Sequence, residues 1–478
     1  MTFCSLSSPV FAYLFGLCTL AQATDKPNIV FILADDLGSG DLSCYNKDSK
    51  IPTPHLDSLA AEGMKFTDAH SNSSVCTPTR YGVVTGRYAW RSQLKRGVLN
   101  GYSKALIEEG RETVASLLKK QGYNTACIGK WHLGMNFAKN GKNWDYTQPI
   151  KRGPNAVGFD YFLGISASLD MPPYALIEND KVLSQPNEEI KASTYPKYWR
   201  GGAIAKDFSH EDYLPLVGKQ AVKFISAQTS DKPFFLYLPL PAPHKPVVPT
   251  ADFRGKTEAN DYGDFVHEMD WVIGQVVTSL KKKDLFSNTL LIVTSDNASF
   301  AVKESYGVVQ TGHSPNHIYK GQKTDAYEGG HRVPWIVTWP GKAAAGTTSK
   351  QVVCTTDLMA TAAEVSGTTL ARDAGEDSYS IVPILTGQLS DKALREATIH
   401  HSISGMFAIR KGKWKLIVGR GSGGRTKTDK SDRNKLQLFD MEKDVGETNN
   451  IHQTHPEIVQ ELTTLLENYK SSGRSTNR

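Results

Sequence analysis

Six short stretches concentrate groups able to hold a cation and an oxygen-rich anion. The apolar run Ile29–Ala34 ends in Asp35-Asp36, followed by Leu37-Gly38. Adjacent carboxylates repel each other unless positive charge lies near them. A second apolar run, Leu290–Val293, leads into Thr294-Ser295-Asp296-Asn297. Either pair alone is ordinary turn chemistry. Were both runs parallel strands of one sheet, both pairs would emerge at the edge where α/β proteins bind ligands. Three carboxylates and an amide there make an oxygen-rich site for a hard cation, Ca²⁺ or Mg²⁺.

Basic groups follow other runs. Thr125–Ile128 leads into Gly129-Lys130-Trp131-His132-Leu133-Gly134, and an extended chain points Lys130 and His132 the same way. Phe234–Leu238 leads into Pro241-Ala242-Pro243-His244-Lys245-Pro246, where prolines stiffen the chain beside His244. Lys323 precedes Glu328-Gly329-Gly330-His331-Arg332-Val333-Pro334, whose glycine pair predicts a tight turn or a close backbone approach. A cation ringed by Lys, Arg and His is a receptor for sulfate or phosphate. Cys76-Thr77-Pro78-Thr79-Arg80 adds a cysteine at the start of a predicted helix, with Arg80 one turn on. A helix N-terminus favours anions and lowers a thiol pKa, so a thiolate nucleophile is one reading. Yet a soft thiolate beside a hard, oxygen-ligated cation is a poor chemical match.

The elements that must position these groups alternate. The apolar runs named above, with Trp335–Val337, read as buried parallel strands. Helical patterns lie between them at Thr53–Ala61, Thr113–Gln121, Lys219–Ala227 and Phe265–Lys283. Alternation of this kind predicts α/β: a large, mostly parallel sheet sandwiched by helices. After Pro383–Gly387 the pattern changes to short strands at Met406–Arg410, Trp414–Val418 and Leu436–Phe439, then a helix at Pro456–Tyr469. This predicts a small C-terminal antiparallel sheet plus helix. The Gly- and Ser-rich stretch Gly419–Lys430 reads as a mobile hairpin loop. The expected division is 1–23, 24–390 and 391–478.

The bulk numbers exclude some classes. With 478 residues, 39% hydrophobic and 22% charged, the chain is an ordinary globular protein. A net charge of +6 permits an anionic substrate but falls short of a nucleic-acid footprint. Val10–Leu20 is apolar and Ala21-Gln22-Ala23 fits a small-x-small cleavage site, so residues 1–23 read as a signal peptide of an exported protein, periplasmic or extracellular. The alternative, a membrane anchor, conflicts with a run shorter than the roughly 20 residues needed to span. No later segment reads as transmembrane. Cys44, Cys76, Cys127 and Cys354 remain after cleavage, too sparse for a disulfide framework, though one or two bridges are open.

Taken together, these blocks resemble the formylglycine-dependent (type I) sulfatases, in the arylsulfatase-A-like branch of the alkaline-phosphatase superfamily. The shared residues are Cys76-Thr77-Pro78-Thr79-Arg80, Ala34–Gly38, Thr85-Gly86-Arg87, Gly129–Gly134, Pro243-His244, Ser295–Asn297 and Glu328–Pro334. Trp414–Ile417, Leu438–Asp440 and Glu447–Asn450 also resemble the family's ending, and the likeness covers nearly the whole mature chain. Val75 and Thr79 depart from commoner Leu and Ser without removing a required group.

The resemblance implies that a maturation enzyme oxidises Cys76 to Cα-formylglycine, whose hydrate is a geminal diol; the soft sulfur is gone. It implies Asp35, Asp36, Asp296, Asn297 and residue 76 as ligands of Ca²⁺, with Mg²⁺ second. Arg80 and Lys130 would stabilise the diol. One diol oxygen would attack a sulfate ester while Lys323 and His244 hold sulfate oxygens and help protonate the leaving alcohol. His132 would then take a proton so that sulfate leaves and the aldehyde returns. Phe162–Asp170 resembles the segment that places a sulfate-binding serine, here Ser168. The expected substrates are a sulfated carbohydrate, such as N-acetylgalactosamine 6-sulfate, and aryl sulfates. Rival readings are a phosphonate or phosphate ester hydrolase of the same superfamily, an inactive sulfated-glycan-binding protein, and a thiol hydrolase using Cys76. Substrate choice falls to loops at 136–154, 171–201, 247–264 and 299–319, which carry Tyr174, Tyr195, Tyr198, Trp199 and His313.

Overall fold

The strand Asn28–Asp35 is the axis of the molecule. All eight of its residues are buried, and its side chains divide between two cores. Ile29, Phe31 and Leu33 enter one hydrophobic cluster; Val30, Ile32 and Ala34 enter the other. A strand covered on both faces must be apolar at odd and even positions alike. The computed structural model describes residues 1–2, 26–195, 197–302, 306–389, 392–427 and 434–477. The segment read as a signal peptide lies almost wholly outside the described residues, as does the expected 390/391 boundary. Among the described residues, no helix is long and apolar enough to cross a membrane.

Around that axis lies a ten-stranded mixed sheet. Its centre is five parallel strands in the order Thr289–Ser295, Asn28–Asp35, Phe234–Pro243, Asn124–Lys130 and Tyr161–Ile165. Ile29 sits between Leu290 and Phe235 in register. One core takes the helices Pro54–Glu62, Tyr213–Ser226 and Asn260–Lys282, through residues such as Leu56, Val217, Phe265 and Met269. The other takes Cys76–Thr85, Val114–Lys120 and Leu358–Val365, through Tyr81, Leu117 and Met359. Each fully buried Leu, Ile or Phe contributes roughly 1.5–3 kcal/mol of transfer free energy.

Two features of the sheet differ from the sequence expectation. Trp335–Thr338 pairs antiparallel, not parallel, with Thr289–Ser295. A strand buried on both faces is apolar in either direction, so composition does not report its sense. Tyr161–Ile165 completes the parallel set but is a short run interrupted by Gly164, which hid it. Gly164 is required there: a Cβ would meet the Gly129 carbonyl oxygen at 1.8 Å.

The C-terminal sheet has four strands, with Thr398–His401 added to the three expected. Its polar His400-His401 masked the strand pattern. One face packs Ile399, Ile409, Leu416 and Leu438 with the helix Pro456–Ser471; the other packs Ala408, Ile417 and Phe439 against Ala326 and Tyr327. The stretch expected to be a mobile hairpin is anchored in its described part. Arg425 and Thr426 donate backbone N–H bonds to Asp325 Oδ1 at 2.8 and 3.2 Å. Residues 428–433 lie outside the described residues. Cys44, Cys76, Cys127 and Cys354 are all free thiols.

Candidate active site

Parallel strands deliver their C-terminal ends to one edge, and the candidate residues collect there. Asp35 ends the first strand, and Asp36 follows with a left-handed backbone (φ 69°). Asp296 and Asn297 follow Ser295, Lys130 ends its strand, and His244 follows Pro243. The helix Cys76–Thr85 points its first residue at the same place. Lys323 arrives from a loop held by two backbone bonds, Lys323 N–H to the Ser299 carbonyl and Thr324 N–H to the Ser74 carbonyl, at 3.1 and 2.8 Å. Gly330 permits that loop: a Cβ on it would lie 2.1 Å from the Asp325 carbonyl oxygen.

The charges interleave. Lys130 Nζ donates to Asp35 Oδ2 at 2.6 Å, and Lys323 Nζ lies 2.7 and 2.9 Å from the two oxygens of Asp36. Arg80 donates twice to Asp296 Oδ2 and once to the Lys130 carbonyl. Cys76 Sγ is 3.4 Å from Lys323 Nζ and 3.7 Å from Asp35 Oδ1. Burial raises the pKa of Asp35 and Asp36, against the pull of Lys130 and Lys323 respectively. For Asp296, burial acts the same way, but Arg80 with Lys130 and Lys323 outweighs it and holds the carboxyl below its usual range. Burial likewise opposes the charge of Lys323, and Asp36 outweighs it, so the ammonium keeps its proton.

Burial pushes the Cys76 thiol up to about 12, despite Lys130 and Lys323 nearby. Burial thus works against a thiolate at an unmodified Cys76, in opposition to the helix N-terminus and the nearby lysines.

The oxygen donors fit a hard divalent cation. Asn297 Oδ1 is buried with no hydrogen-bond partner among the described residues, while its Nδ2 donates to Asp36 Oδ1 at 2.7 Å. Ligand atoms from Asp35, Asp36, Cys76 and His244 all lie within 4.8 Å of one another. An orphaned amide oxygen beside three carboxylates is the donor chemistry of Ca²⁺ or Mg²⁺.

Histidine tautomers follow from the partners. His132 Nε2 lies 2.8 Å from the Leu99 carbonyl, which can only accept, so Nε2 carries the proton and Nδ1 a lone pair. That Nδ1 is buried without a partner among the described residues. Burial, with Lys130 next, keeps the ring neutral well below its ordinary pKa. His132 reaches the site through a left-handed backbone (φ 57°), not the extended chain expected beside Lys130. His244 Nδ1 faces the Lys245 carbonyl at 2.5 Å and Ser168 Oγ at 3.2 Å; Ser168 Oγ is also 3.3 Å from Lys130 Nζ. His244 too is held neutral by burial, then by Lys323.

A cavity of about 80 Å³ opens onto Asp36, Cys76, His132, His244 and Lys323. Of the loop aromatics named from sequence, Tyr195 lines it. Tyr198 stacks behind Tyr195 and under Lys245. Tyr174 and Trp199 pack on His210, and His313 is buried on Asp41 at 2.9 Å; these three lie away from the cavity. Loops 136–154 and 247–264 contribute nothing to it. Val98, Asp170 and Arg425 line it and were missed. Arg425 lies in a Gly-rich stretch whose sequence carries no local signal for a site.

The family model for sulfatases matches residues 27–368, and the model for the N-sulphoglucosamine sulphohydrolase C-terminal region matches residues 319–472. The N-acetylgalactosamine-6-O-sulfatase of Bacteroides thetaiotaomicron is 34% identical over 491 aligned positions, covering 94% of both chains. Human arylsulfatase A is 30% identical, covering 95% of this chain and 89% of its own. A solved "6S-sulf" structure from work on glycosaminoglycan metabolism in B. thetaiotaomicron superposes with a TM-score of 0.83 at 33% identity, covering 94% of this chain and all of that one. A structure solved with k-i-k-neocarrahexaose, at 23% identity and a TM-score of 0.72, shares the fold. The chain belongs to the type I sulfatase family and is a sulfuric ester hydrolase.

Proposed function

We propose that this sulfatase removes sulfate from a carbohydrate, with a 6-sulfated N-acetylgalactosamine residue as the leading substrate, and also cleaves aryl sulfates. The observation that carries the reading is the interleaved cluster of Asp35, Asp36, Asp296 and Asn297 with Arg80, Lys130 and Lys323 around residue 76. The named specificity of the B. thetaiotaomicron relative supports the substrate.

Within this reading Asp35, Asp36, Asp296, Asn297 and residue 76 hold a divalent cation, Ca²⁺ before Mg²⁺. When bound, the cation supplies positive charge that offsets the buried carboxylates and favours ionised oxygen. Residue 76, oxidised to formylglycine by a maturation enzyme and hydrated, supplies an oxygen nucleophile in place of a thiol. Ser168, Lys130 and Lys323 donate to the sulfate oxygens, and His244, 3.2 Å from Ser168 Oγ, orients that hydroxyl toward them. Lys323 is the proton donor to the leaving alcohol: it keeps its proton, whereas neutral His244 points its only N–H at the Lys245 carbonyl. His132 Nδ1, with a free lone pair, is the base that collects a proton when sulfate departs. We place the enzyme outside the cytoplasm, residues 1–23 being its export signal, with residues 391–478 as a C-terminal subdomain.

The test is mass spectrometry of the tryptic peptide Phe66–Arg80 from protein made in its own host. The expected mass is that of formylglycine at position 76. A peptide with intact cysteine in enzyme that turns over sulfate esters would overturn the nucleophile assignment.

A further inference from the structure

Among the described residues, Asp170 has one carboxylate oxygen without a partner. Its side chain is buried (1% exposed) and its Oδ2 accepts from Arg200 Nη1 at 2.5 Å, with Lys245 Nζ at 3.6 Å. Its Oδ1 has no hydrogen-bond partner among the described residues. Buried carboxylate oxygens are rarely left unpaired in folded proteins, so the orphan asks for a donor. Asp170, Arg200 and Lys245 line the same cavity as Cys76.

Chain connectivity places this trio one step out from the reacting group. Asp170 follows Ser168 by two residues, and Lys245 follows His244 by one. Ser168 and His244 contact each other beside Lys130. The two segments that face the sulfate position therefore carry Asp170 and Lys245 onward along the cavity.

We infer that Asp170 is a specificity-determining residue that accepts a hydrogen bond from a ring hydroxyl of the sugar bearing the sulfate ester. The inference rests on the proposed carbohydrate sulfatase function and names the substrate feature that the site reads. An ionised carboxylate accepts and cannot donate. Its partner must be a donor, which a sugar hydroxyl is and an aryl ring is not. Arg200 and Lys245 offer donors beside it, so the same hydroxyl, or its neighbour, can accept in turn. The cavity also holds a run of rings: Phe300 and Tyr306 at 4.5 Å between centroids, then Tyr306 and Tyr195 at 5.0 Å. Such a wall suits the C–H face of a saturated ring while its hydroxyl edge meets Asp170.

The experiment compares matured wild-type enzyme with Asp170→Asn. The substrates are 4-nitrophenyl sulfate, methyl N-acetylgalactosaminide 6-sulfate, and the 3-deoxy and 4-deoxy forms of that sugar. A site built to bond a hydroxyl discriminates strongly against its absence, so one deoxy sugar should lose at least about 100-fold in kcat/KM with wild type. The same deletion should cost Asp170→Asn less than about threefold, and the variant's sugar-to-aryl ratio should fall by about 100-fold. Equal deoxy penalties in both proteins, or no penalty with wild type, would overturn the inference. Asp170→Glu keeps the charge facing Arg200 but moves the oxygens; it serves if Asp170→Asn does not fold, and should lose the same discrimination. Wild type that cleaves the aryl ester but not the sugar defeats the proposed substrate. Equal deoxy penalties with brisk sugar turnover defeat the role of Asp170 alone.

Discussion

Arg80 Nε and Nη2 both donate to a single oxygen, Asp296 Oδ2, at 3.0 and 2.7 Å, and both side chains are fully buried. The other oxygen of Asp296 accepts the Asp36 backbone N–H at 3.2 Å. One carboxylate thus ties the helix that starts at Cys76 to two strand tips. Removing it takes both hydrogen bonds and the nearer counter-charge from a buried guanidinium, leaving Asp35 Oδ1 at 3.7 Å, and such a loss costs up to about 3–5 kcal/mol. Asp296→Ala should fold with a clearly lowered thermal midpoint, lose its divalent metal, and lose sulfate-ester turnover. Calorimetry, elemental analysis and an aryl sulfate assay check the three effects; full activity with normal metal content would contradict the ligand assignment.

Gly330 makes a different kind of contribution. It touches no reacting group, but any side chain there must displace the Asp325 carbonyl, which would lie 2.1 Å from the new Cβ. Backbone atoms do not yield as a flexible side chain would. Asp325 is two residues from Lys323, whose ammonium sits on Asp36. Gly330→Ala should therefore lower kcat/KM at least about tenfold, through Lys323, while residue 76 is still matured; a lost or mispositioned proton donor costs about 10²–10⁴-fold. Stopped assays on matured protein, with the Phe66–Arg80 peptide checked by mass, separate the two steps. Wild-type kinetics in Gly330→Ala would show that the loop repacks freely.

How much of the site can be read from sequence depends on where each group stands in the chain. Asp35, Asp36, Asp296 and Lys130 directly end apolar strands, so periodicity alone brings them to one edge. Lys323 and Arg425 follow no strand. Their positions rest on backbone bonds to Ser299, Ser74 and Asp325, contacts between segments remote in sequence. The orphan atoms Asn297 Oδ1, His132 Nδ1 and Asp170 Oδ1 are equally invisible in one dimension, because a missing partner is a property of packing. The sense of Trp335–Thr338 was unreadable for the opposite reason: its burial is so complete that no polar face records its direction.

A buried histidine cluster joins the C-terminal strand Thr398–His401 to the short strand Ala69–His70 and the turn of helix Glu328–His331. His70 Nε2 bonds Asp68 at 2.7 Å, His70 Nδ1 lies 3.0 Å from His331 Nδ1, and Lys415 Nζ lies 3.1 Å from His331 Nε2. His400 stacks on His331 with centroids 3.8 Å apart. Around them, Glu328 pairs with Arg332 and Lys415, and Arg410 pairs with Asp68. Burial lowers the pKa of all three imidazoles, that of His70 to about 4. The unfolded chain, with histidines near 6.5, binds more protons than the native state between about pH 6.5 and 4. Stability from this cluster is thus complete above pH 6.5 and lost as pH falls through that window. His70 alone accounts for about 3 kcal/mol. The thermal midpoint should fall steeply from pH 6.5 to 4, and His400→Phe should flatten that slope. A midpoint independent of pH across this range would show that the cluster protonates without cost.

Arg425 brings a positive charge from the C-terminal unit to the mouth of the cavity. It is exposed, so its worth lies in attraction at a distance and not in a fixed bond. A sulfated glycan is a multiply charged anion, and a cation at a cleft mouth raises its local concentration and its rate of arrival. Arg425→Ala should raise KM for a sulfated disaccharide by about three- to tenfold and lower kcat far less. The effect should fade with salt, because a separation of about 8–10 Å is screened at physiological ionic strength. The measurement is kcat/KM from 20 to 500 mM NaCl for both proteins. Wild type should decline more steeply than Arg425→Ala, and the two should converge at high salt. A constant ratio at every salt concentration would mean that Arg425 acts by shape or direct bonding, and its guanidinium would then belong with the groups that grip the substrate.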